Sequence, residues 1–212
     1  MIYQSVNEDE PIRQGDIFRS IPHLELSLSE LTVVDDDHSE STTWETVVES
    51  SGISPVTALV AVEPVFGIVI TQDCDAVRGR DVCLAHVDEF LGVTGRKESA
   101  PKTPKKWQSL LTTQMKENLR YFYLPADQQL GFVERMAADF RFIIRVPRED
   151  LLTLRHYRLG RLNDVATQHF RESLGQFYRR YPYNEWYPLT KEEVQEYVKD
   201  CPEKVTLYDW QK

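Results

Sequence analysis

Cysteine is scarce in this chain of 212 residues, which contains only Cys74, Cys83 and Cys201. A small, odd number of thiols argues against a disulfide framework and favours a reducing cytoplasm. The paired Cys-x-x-Cys motifs of structural zinc sites are also missing. A zinc site made of the three cysteines and His86 is disfavoured, because Cys83 and His86 would point to opposite faces of one strand. We therefore expect a cytoplasmic protein without such a metal site.

Long apolar stretches are missing as well. No run approaches the roughly 20 residues that a membrane-spanning helix needs. The first ten residues, MIYQSVNEDE, are acidic, whereas a secretory signal begins with basic residues and continues with apolar ones. We therefore expect no membrane partner.

The common catalytic motifs are absent too. The sequence contains no Walker loop, no Gly-x-Ser-x-Gly elbow and no His-Glu-x-x-His helix. It therefore predicts no cofactor and leaves open whether the protein is an enzyme.

Positive charge is nearly absent from the first 60 residues. They contain twelve acidic residues and only Arg13 and Arg19, a net charge of -10, while the whole chain carries -9. Residues 141–180, in contrast, contain nine Arg against four acidic residues. These segments are expected either to attract each other within the fold or to offer a surface for phosphates or an acidic partner. The overall acidity disfavours a dedicated nucleic-acid-binding protein.

The first half of the chain has the alternation and the short apolar runs that are typical of strands. Leu24, Leu26 and Leu28 alternate with polar residues, as one face of a half-buried strand should. The segment DDDHSESTT is predicted to be a polar loop. The predicted strands are DIFRSI, WETVVES, VTALVAV, VFGIVIT and VCLAHV. Strands at this spacing favour a small barrel or a strongly bent antiparallel sheet.

A helix is predicted to follow an exposed loop at residues 92–105. Thr103 is its expected cap and Pro104 its first residue. Trp107 begins a buried stripe that continues to Leu119. Beyond it, the segments YFYL and FRFIIRV are predicted to be strands that return to the sheet.

A longer helix, about 30 Å in length, is predicted for residues 162–181. Its apolar residues recur at steps of three and one, which places Phe170, Leu174 and Phe177 on a buried face. A last helix is predicted to begin at a capping box opened by Thr190. We therefore expect one α+β domain over residues 1–212. Its parts are a β core at about 11–90 and 120–147, a helical insert at 103–119, and a layer of C-terminal helices at 161–201.

The segment TQDCD at residues 71–75 holds the main candidate site. It follows the most hydrophobic predicted strand, and strand ends commonly aim loop side chains into clefts. In an extended segment Asp73 and Asp75 point the same way, so they could hold a hard divalent cation or act as acid and base. Cys74 is the third catalytic candidate, but flanking carboxylates disfavour its reactive thiolate unless Arg78 or Arg80 approaches. We expect it to turn inward and pack. The alternative is that both aspartates cap a turn.

Five further residues are candidates for binding. Gln72 precedes the two aspartates, and Arg78 or Arg80 is placed to contact a phosphate beside them. Arg161, in the Arg-rich part of the chain, is a candidate for contacting phosphates or an acidic partner. His169 lies on the apolar face of the predicted long helix. We expect it to be a buried, hydrogen-bonded histidine, with a role in binding or catalysis as the alternative.

Three segments resemble the PemK/MazF-like toxins: RQGDIF (Arg13–Phe18), EPVFGIVITQDCD (Glu63–Asp75) and DVCLAHV (Asp81–Val87). The resemblance covers about the first ninety residues and implies an SH3-like barrel. The ribonucleases of that family carry Arg just before the Pro-Val strand and Thr or Ser at the start of the next strand, where this chain has Glu63 and Asp81. The resemblance therefore implies the fold more than the activity.

These observations predict a bacterial interaction or accessory protein with an SH3-like barrel, in a toxin–antitoxin or phage-defence setting, with a protein as its partner. The alternative is a divergent nuclease. In that phosphodiesterase, Asp73 and Asp75 would bind a divalent cation or act as acid and base, and Arg78 or Arg80 would contact the scissile phosphate. The partner would then be a nucleic acid.

Overall fold

The computed structural model of the chain describes residues 2–35, 38–52 and 54–179, together with Glu192, Gln195, Glu196 and Lys199. The chain divides into two compact units, residues 1–177 and residues 178–212. In the second unit the four isolated residues are helical. The predicted capping box at Thr190 and the predicted end of that helix near residue 201 lie outside the described residues.

The described part of the chain contains strands of two sheets. They are β1 (Tyr3–Gln4), β2 (Asp16–Glu25), β3 (Leu31–Asp35), β4 (His38–Thr42), β5 (Thr57–Leu59), β6 (Ala61–Val69), β7 (Asp81–Glu89), β8 (Tyr121–Leu124), β9 (Met136–Pro147) and β10 (Arg158–Leu162). The main sheet has seven strands in the order β1–β10–β2–β6–β7–β9–β8, and the second sheet has the order β4–β3–β5.

The α-helices of the first unit connect or cover these strands. They are α1 (Trp44–Ser51), α2 (Asp73–Arg78), α3 (Phe90–Val93), α4 (Pro104–Glu117), α5 (Arg148–Thr153) and α6 (Asp164–Tyr178). None of the helices in the described residues combines the length and the apolar character that crossing a bilayer requires.

The main sheet is antiparallel throughout, and β2, β6 and β7 are neighbours at its centre. Ile17 of β2 lies opposite Ile68 of β6, and Phe66 of β6 lies opposite Val87 of β7. The register shifts within the β10–β2, β2–β6 and β7–β9 pairings. Because such bulges increase the local twist, the sheet curls. The prediction of an α+β fold with a bent antiparallel sheet is confirmed.

Apolar clusters cover both faces of the main sheet. On one face, Ile68 and Ala85 belong to a cluster that includes Phe140 of β9. On the other face, Leu84 belongs to a cluster that includes Leu151 of α5. The strands β6 and β7 supply residues to both clusters, as expected for central strands.

The long helix α6 covers the first of these faces, as predicted. Phe170 is fully buried, and its ring centroid lies 5.6 Å from that of Phe140. Leu174 and Phe177 are partly buried against the same cluster. The helix begins two residues later than predicted, because Leu162 belongs to β10.

The predicted helical insert is confirmed as α4. The side-chain oxygen of Thr103 accepts a hydrogen bond from the backbone N–H of Lys106 at 3.4 Å, and Pro104 is the first helical residue. Trp107 packs beside Phe90 in a third apolar cluster, with ring centroids 6.4 Å apart. The cap and the apolar periodicity in the sequence were sufficient to predict this helix.

Two predictions for the segment between β3 and β5 are wrong. WETVVES forms helix α1 instead of a strand, because Thr43 accepts a hydrogen bond from the N–H of Thr46 at 3.3 Å and Glu45 lies in the first turn. Part of the predicted loop DDDHSESTT forms β4, which pairs with β3 from Leu31 opposite Thr42 onwards.

Two predictions for the neighbouring segments are also wrong. VTALVAV does not form one strand, because its first part contributes β5 to the second sheet and its last two residues begin β6. Leu24, Leu26 and Leu28 are 60%, 60% and 55% exposed instead of half-buried. The described chain does not cover the outer ends of β2 and β6, so their apolar side chains remain in solvent.

Candidate functional site

The segment TQDCD forms the start of a helix and not an extended strand end. The backbone leaves β6 at Val69, and the Thr71 hydroxyl accepts a hydrogen bond from the N–H of Cys83 at 2.7 Å. Helix α2 then begins at Asp73. Successive residues of a helix are about 100° apart, so Asp73 and Asp75 do not point the same way. The carboxylate pair expected from an extended segment is therefore not formed.

Asp73 is held by contacts to two other parts of the fold. Its Oδ1 accepts a hydrogen bond from the backbone N–H of Gln14 at 2.9 Å, and its Oδ2 accepts one from Arg171 Nη2 at 2.7 Å. Gln14, which is 4% exposed, accepts a hydrogen bond from Arg171 Nε at 2.8 Å and donates one to the carbonyl of Ile70 at 2.7 Å. We call Gln14, Asp73 and Arg171 the clamp. It connects the start of β2, α2 and α6.

Two of the three clamp residues, Gln14 and Arg171, are not among the site residues predicted from the sequence. Arg171 belongs to the Arg-rich segment at residues 141–180, but the arginines expected beside the two aspartates were Arg78 and Arg80. Gln14 lies within the segment RQGDIF, but its role as a partner depends on long-range packing. The close approach of Gly15 to Val69, whose carbonyl accepts its N–H at 2.9 Å, brings Gln14 to α2.

The other candidates near α2 are solvent-exposed. Cys74 is exposed, with Sγ 3.7 Å from Asp75 Oδ1, so the prediction that it turns inward is wrong. The inward position of this short helix is occupied by Ala76, which is 2% exposed. Gln72, Asp75, Arg78 and Arg80 are exposed as well.

A polar cleft of about 380 Å³ lies beside the clamp. Its wall combines cationic and anionic groups in similar number: Arg13, Arg161 and Arg171 with Asp73 and Asp164. Two of these arginines already hold carboxylates, since Arg171 pairs with Asp73 and Arg161 pairs with Asp16. With Arg161 neutralised by Asp16, the other two arginines and the two aspartates of the wall balance, so the cleft lacks the excess of positive charge that a phosphate site needs.

Arg161 belongs to a buried ion cluster. Asp16 is 0% exposed and accepts hydrogen bonds from Arg161 Nε, from Arg161 Nη2 at 3.2 Å, from Arg158 Nη1 at 3.1 Å and from the backbone N–H of Arg13 at 3.0 Å. Burial alone would lower the pKa of Arg161, but its hydrogen bonds and proximity to Asp16 and Glu10 raise the pKa. The guanidinium is therefore a fixed structural cation.

This cluster confirms part of the charge prediction. The acidic Glu10 and Asp16 near the N-terminus pair with Arg161 and Arg158 from the Arg-rich segment. Arg158 Nη2 also donates hydrogen bonds to three carbonyls of the loop at residues 7–10. Attraction within the fold thus accounts for these charges.

His169 is exposed on α6, so the prediction that it is buried is wrong. Ala166 and Phe170 occupy the buried face, and His169 lies at its margin. It borders a groove of about 610 Å³ between α6 and β8 whose lining is mostly apolar, including Phe122 and Val165.

Two histidines stack across the centre of the main sheet. The rings of His23 on β2 and His86 on β7 are parallel within 2°, with centroids 5.4 Å apart. Burial lowers the pKa of His86, and the charge of His23 lowers it further, while nearby carboxylates act in the opposite direction. Among the residues that the structure describes, no group of three or more His, Cys, Asp or Glu side chains could hold a metal ion.

The second candidate surface is the arm, which we define as residues 22–64. It contains the outer parts of β2 and β6, the second sheet and α1. Only Leu31 and Val47 are buried among its described residues, and neither belongs to the clusters that cover the main sheet. The arm is therefore an extension of the sheet into solvent.

Exposed apolar side chains are concentrated on this arm. Leu24 of β2 lies directly opposite Val62 of β6. Because side chains alternate along a strand, both point to the same face of the sheet as the partly buried Phe66 of β6. Eight of the fourteen large apolar side chains that are exposed in the described residues belong to the arm. These are Leu24, Leu26, Leu28, Trp44, Val48, Leu59, Val60 and Val62.

The arm also carries charge of one sign. It contains nine acidic residues, and neither Lys nor Arg occurs between Arg19 and Arg78. The acidic residues are Glu25, Glu30, Asp35, Asp36, Asp37, Glu40, Glu45, Glu49 and Glu63. An apolar surface surrounded by carboxylates is the main chemical feature of the arm.

Comparison with known proteins adds neither a family nor a relative. No family model matches the chain, and no curated protein is similar to it. Its function is therefore inferred from its own residues.

Proposed function

We propose that the protein is an interaction protein whose arm binds a protein partner, in a toxin–antitoxin or phage-defence setting in the bacterial cytoplasm. The proposed setting and an SH3-like barrel core rest on the resemblance of RQGDIF, EPVFGIVITQDCD and DVCLAHV to the PemK/MazF-like toxins. All three segments contribute strands to the curled antiparallel sheet, which is compatible with such a core.

The exposure of the arm is the observation that carries this proposal. Large exposed apolar patches in soluble proteins commonly mark interaction sites. At the outer ends of β2 and β6, both faces of a two-stranded ribbon are in solvent, and such ribbons are marginally stable alone. Each large apolar side chain of the patch that a partner buries contributes on the order of 1 kcal/mol.

No feature of the described site favours the nuclease alternative. Both carboxylate oxygens of Asp73 are engaged in the clamp, and Asp75 points elsewhere on α2. Glu63 and Asp81, which occupy the positions of the toxins' cleavage pair, lie near the starts of β6 and β7. Because these strands are antiparallel, the two residues are at opposite ends of the paired region.

Affinity purification with matched variants tests the proposal. The tagged wild-type chain, an arm variant carrying Leu24→Ser and Val62→Ser, and a control carrying Val77→Ser and Val133→Ser are expressed in the native host. All four positions are exposed valine or leucine residues, so stability should change little. We expect the wild type and the control to recover the same protein and the arm variant to lose it. Recovery of that partner by the arm variant, or of nucleic acid in place of protein, would contradict the proposal.

A further inference from the structure

We infer that the partner of the arm is a basic, amphipathic protein segment, with an apolar face flanked by Lys or Arg. This inference rests on the proposed function and adds the chemistry of the partner. It follows from the pattern of unpaired carboxylates on the arm and from their position beside exposed apolar side chains.

Several carboxylates outside the arm are paired with arginines, whereas the described carboxylates of the arm are not. Outside the arm, acidic residues such as Asp16, Asp73, Asp81 and Asp139 form ion pairs with arginines. On the arm, none of the carboxylates whose side chains the structure describes forms an ion pair. A partner with basic residues would supply the missing charge.

Helix α1 shows how apolar and acidic groups are combined. Trp44 and Val48 are four residues apart, so they form one row along the helix, and they are 46% and 44% exposed. Glu45 and Glu49 form a second row beside the first. A segment that covers the apolar row therefore meets two carboxylates at its edge.

The outer ends of β2 and β6 combine apolar and acidic groups in a different way. Leu24 and Val62 are opposite each other on one face of the ribbon. Glu25 and Glu63 each follow directly in sequence, so they point to the other face. Carboxylates thus lie beside the apolar row on α1 and on the reverse face of the ribbon. A segment that covers the apolar row of α1 is therefore complemented by basic residues along its edge.

The charge of the arm disfavours the other occupants. Nucleic acid carries negative phosphates and would be repelled. A symmetric contact between the arms of two copies would bring eighteen acidic residues together, nine from each copy. The basic loop at residues 96–106 of a second copy has suitable charge, but an arm-to-loop contact is head-to-tail and forms rings or open chains.

Labelled synthetic peptides test the partner chemistry. The probe is an amphipathic 18-residue peptide of Leu and Lys. One comparison peptide has Glu in place of Lys, and a second has Ser in place of Leu. Binding to the full chain is measured by fluorescence anisotropy at low salt and at high salt. We expect the Leu/Lys peptide to bind at least tenfold more tightly than either comparison peptide and to weaken with salt.

Matched charge reversals locate the binding. Glu45→Lys with Glu49→Lys and the control Asp75→Lys with Glu134→Lys change the net charge equally. We expect the first pair to weaken Leu/Lys binding at least tenfold and the control to leave it within twofold. If the first pair alters the fold by circular dichroism, Trp44→Gln with Val48→Gln replaces it, with the same expected loss.

Several outcomes would overturn the inference. One is equal or tighter binding of the Leu/Glu peptide, and another is equal weakening by the control reversal. Self-association of the chain through the arm, seen by sedimentation velocity, would identify a second copy as the occupant. If none of the peptides binds while the wild-type chain still recovers an arm-dependent partner from its host, the partner chemistry is wrong and the binding function stands.

Discussion

Asp73 and Asp75 are two positions apart in sequence and have different surroundings in the fold. Asp73 accepts hydrogen bonds from the Gln14 backbone and from Arg171, while Asp75 contacts mainly its neighbour Cys74. The sequence alone left a turn cap and a reactive pair as alternatives. The clamp gives Asp73 a structural role of another kind, because its two oxygens join β2, α2 and α6 and do not cap its own turn.

Replacing each aspartate by Asn separates these roles. Asp73→Asn removes the charge that faces Arg171, but both side chains are close to half-exposed, at 44% and 48%, so solvent screening limits the effect. We expect a loss of about 1 kcal/mol in the free energy of unfolding. Asp75→Asn, as the control, should stay within about 0.5 kcal/mol. Urea denaturation measures both, and equal stabilities would show that the clamp does not contribute.

His86 should make stability depend on pH. Its pKa is lowered, first by burial and also by the charge of His23, while Asp88, Asp139 and Glu63 raise it. A histidine with a lowered pKa in the folded state takes up its proton more readily when unfolded. Stability should therefore fall as the pH drops through the ordinary histidine pKa of about 6.5.

The variant His86→Gln isolates this contribution. Between about pH 7.5 and pH 5, the free energy of unfolding of the wild type should fall more steeply than that of the variant. Denaturation series at fixed ionic strength give both slopes. A variant slope that is equal to or steeper than the wild-type slope would contradict the sign of the shift.

At the scale of elements, local signals predicted α4, α6 and the central strands. The Thr103 cap with Pro104 and the apolar periodicity around Phe170 act within one element, so the sequence displays them directly. Local signals did not predict the helices α1 and α2. Both are short, and valines in α1 gave a strand-like pattern that the Thr43 cap outweighs. The clamp and the exposure of Leu24 depend on which distant segments meet, which a single sequence does not display.

Phe170 tests the packing of α6 on the main sheet. It is fully buried, and its ring lies 5.0 Å from Phe122 between centroids. Phe170→Ala should reduce the free energy of unfolding by about 3–5 kcal/mol, because it removes apolar contacts and leaves a cavity. Val165→Ala is the control, since Val165 is 67% exposed on the same helix. Similar melting temperatures for the two variants would show that α6 does not pack as described.

Removing the tip of the arm tests whether it is an independent extension. Glu25 and Ala61 are directly opposite each other in the β2–β6 pair, so a two-residue Asn-Gly turn can replace residues 26–60. We expect cooperative unfolding with a melting temperature within about 5 °C of the wild type, because Leu31 and Val47 lie outside the main clusters. Failure of the shortened chain to fold would show that the arm supports the main sheet.

At the scale of the whole molecule, some charged side chains form ion pairs within the fold and others are exposed on the arm. Arg158, Arg161 and Arg171 hold Asp16 and Asp73 within the fold. The carboxylates of the arm whose side chains the structure describes lack this kind of pairing, and Glu45 and Glu49 lie beside the exposed Trp44 and Val48. The three segments that resemble the toxins contribute strands to the main sheet. Most of the arm lies between the first and the second of these segments. Partner binding is therefore assigned mostly to residues that lie between the motifs carrying the resemblance.

Site-specific photo-crosslinking in the native host is the most direct test of whether the arm binds a protein partner. A photoreactive amino acid replaces Leu24 on the arm or, as the control, Val133, which is 83% exposed elsewhere on the first unit. After irradiation, adducts are separated by mass and identified by mass spectrometry. We expect a discrete adduct with one protein at Leu24 and no adduct with that protein at Val133. Absence of a protein adduct at Leu24, or the same adduct at both positions, would contradict partner binding by the arm.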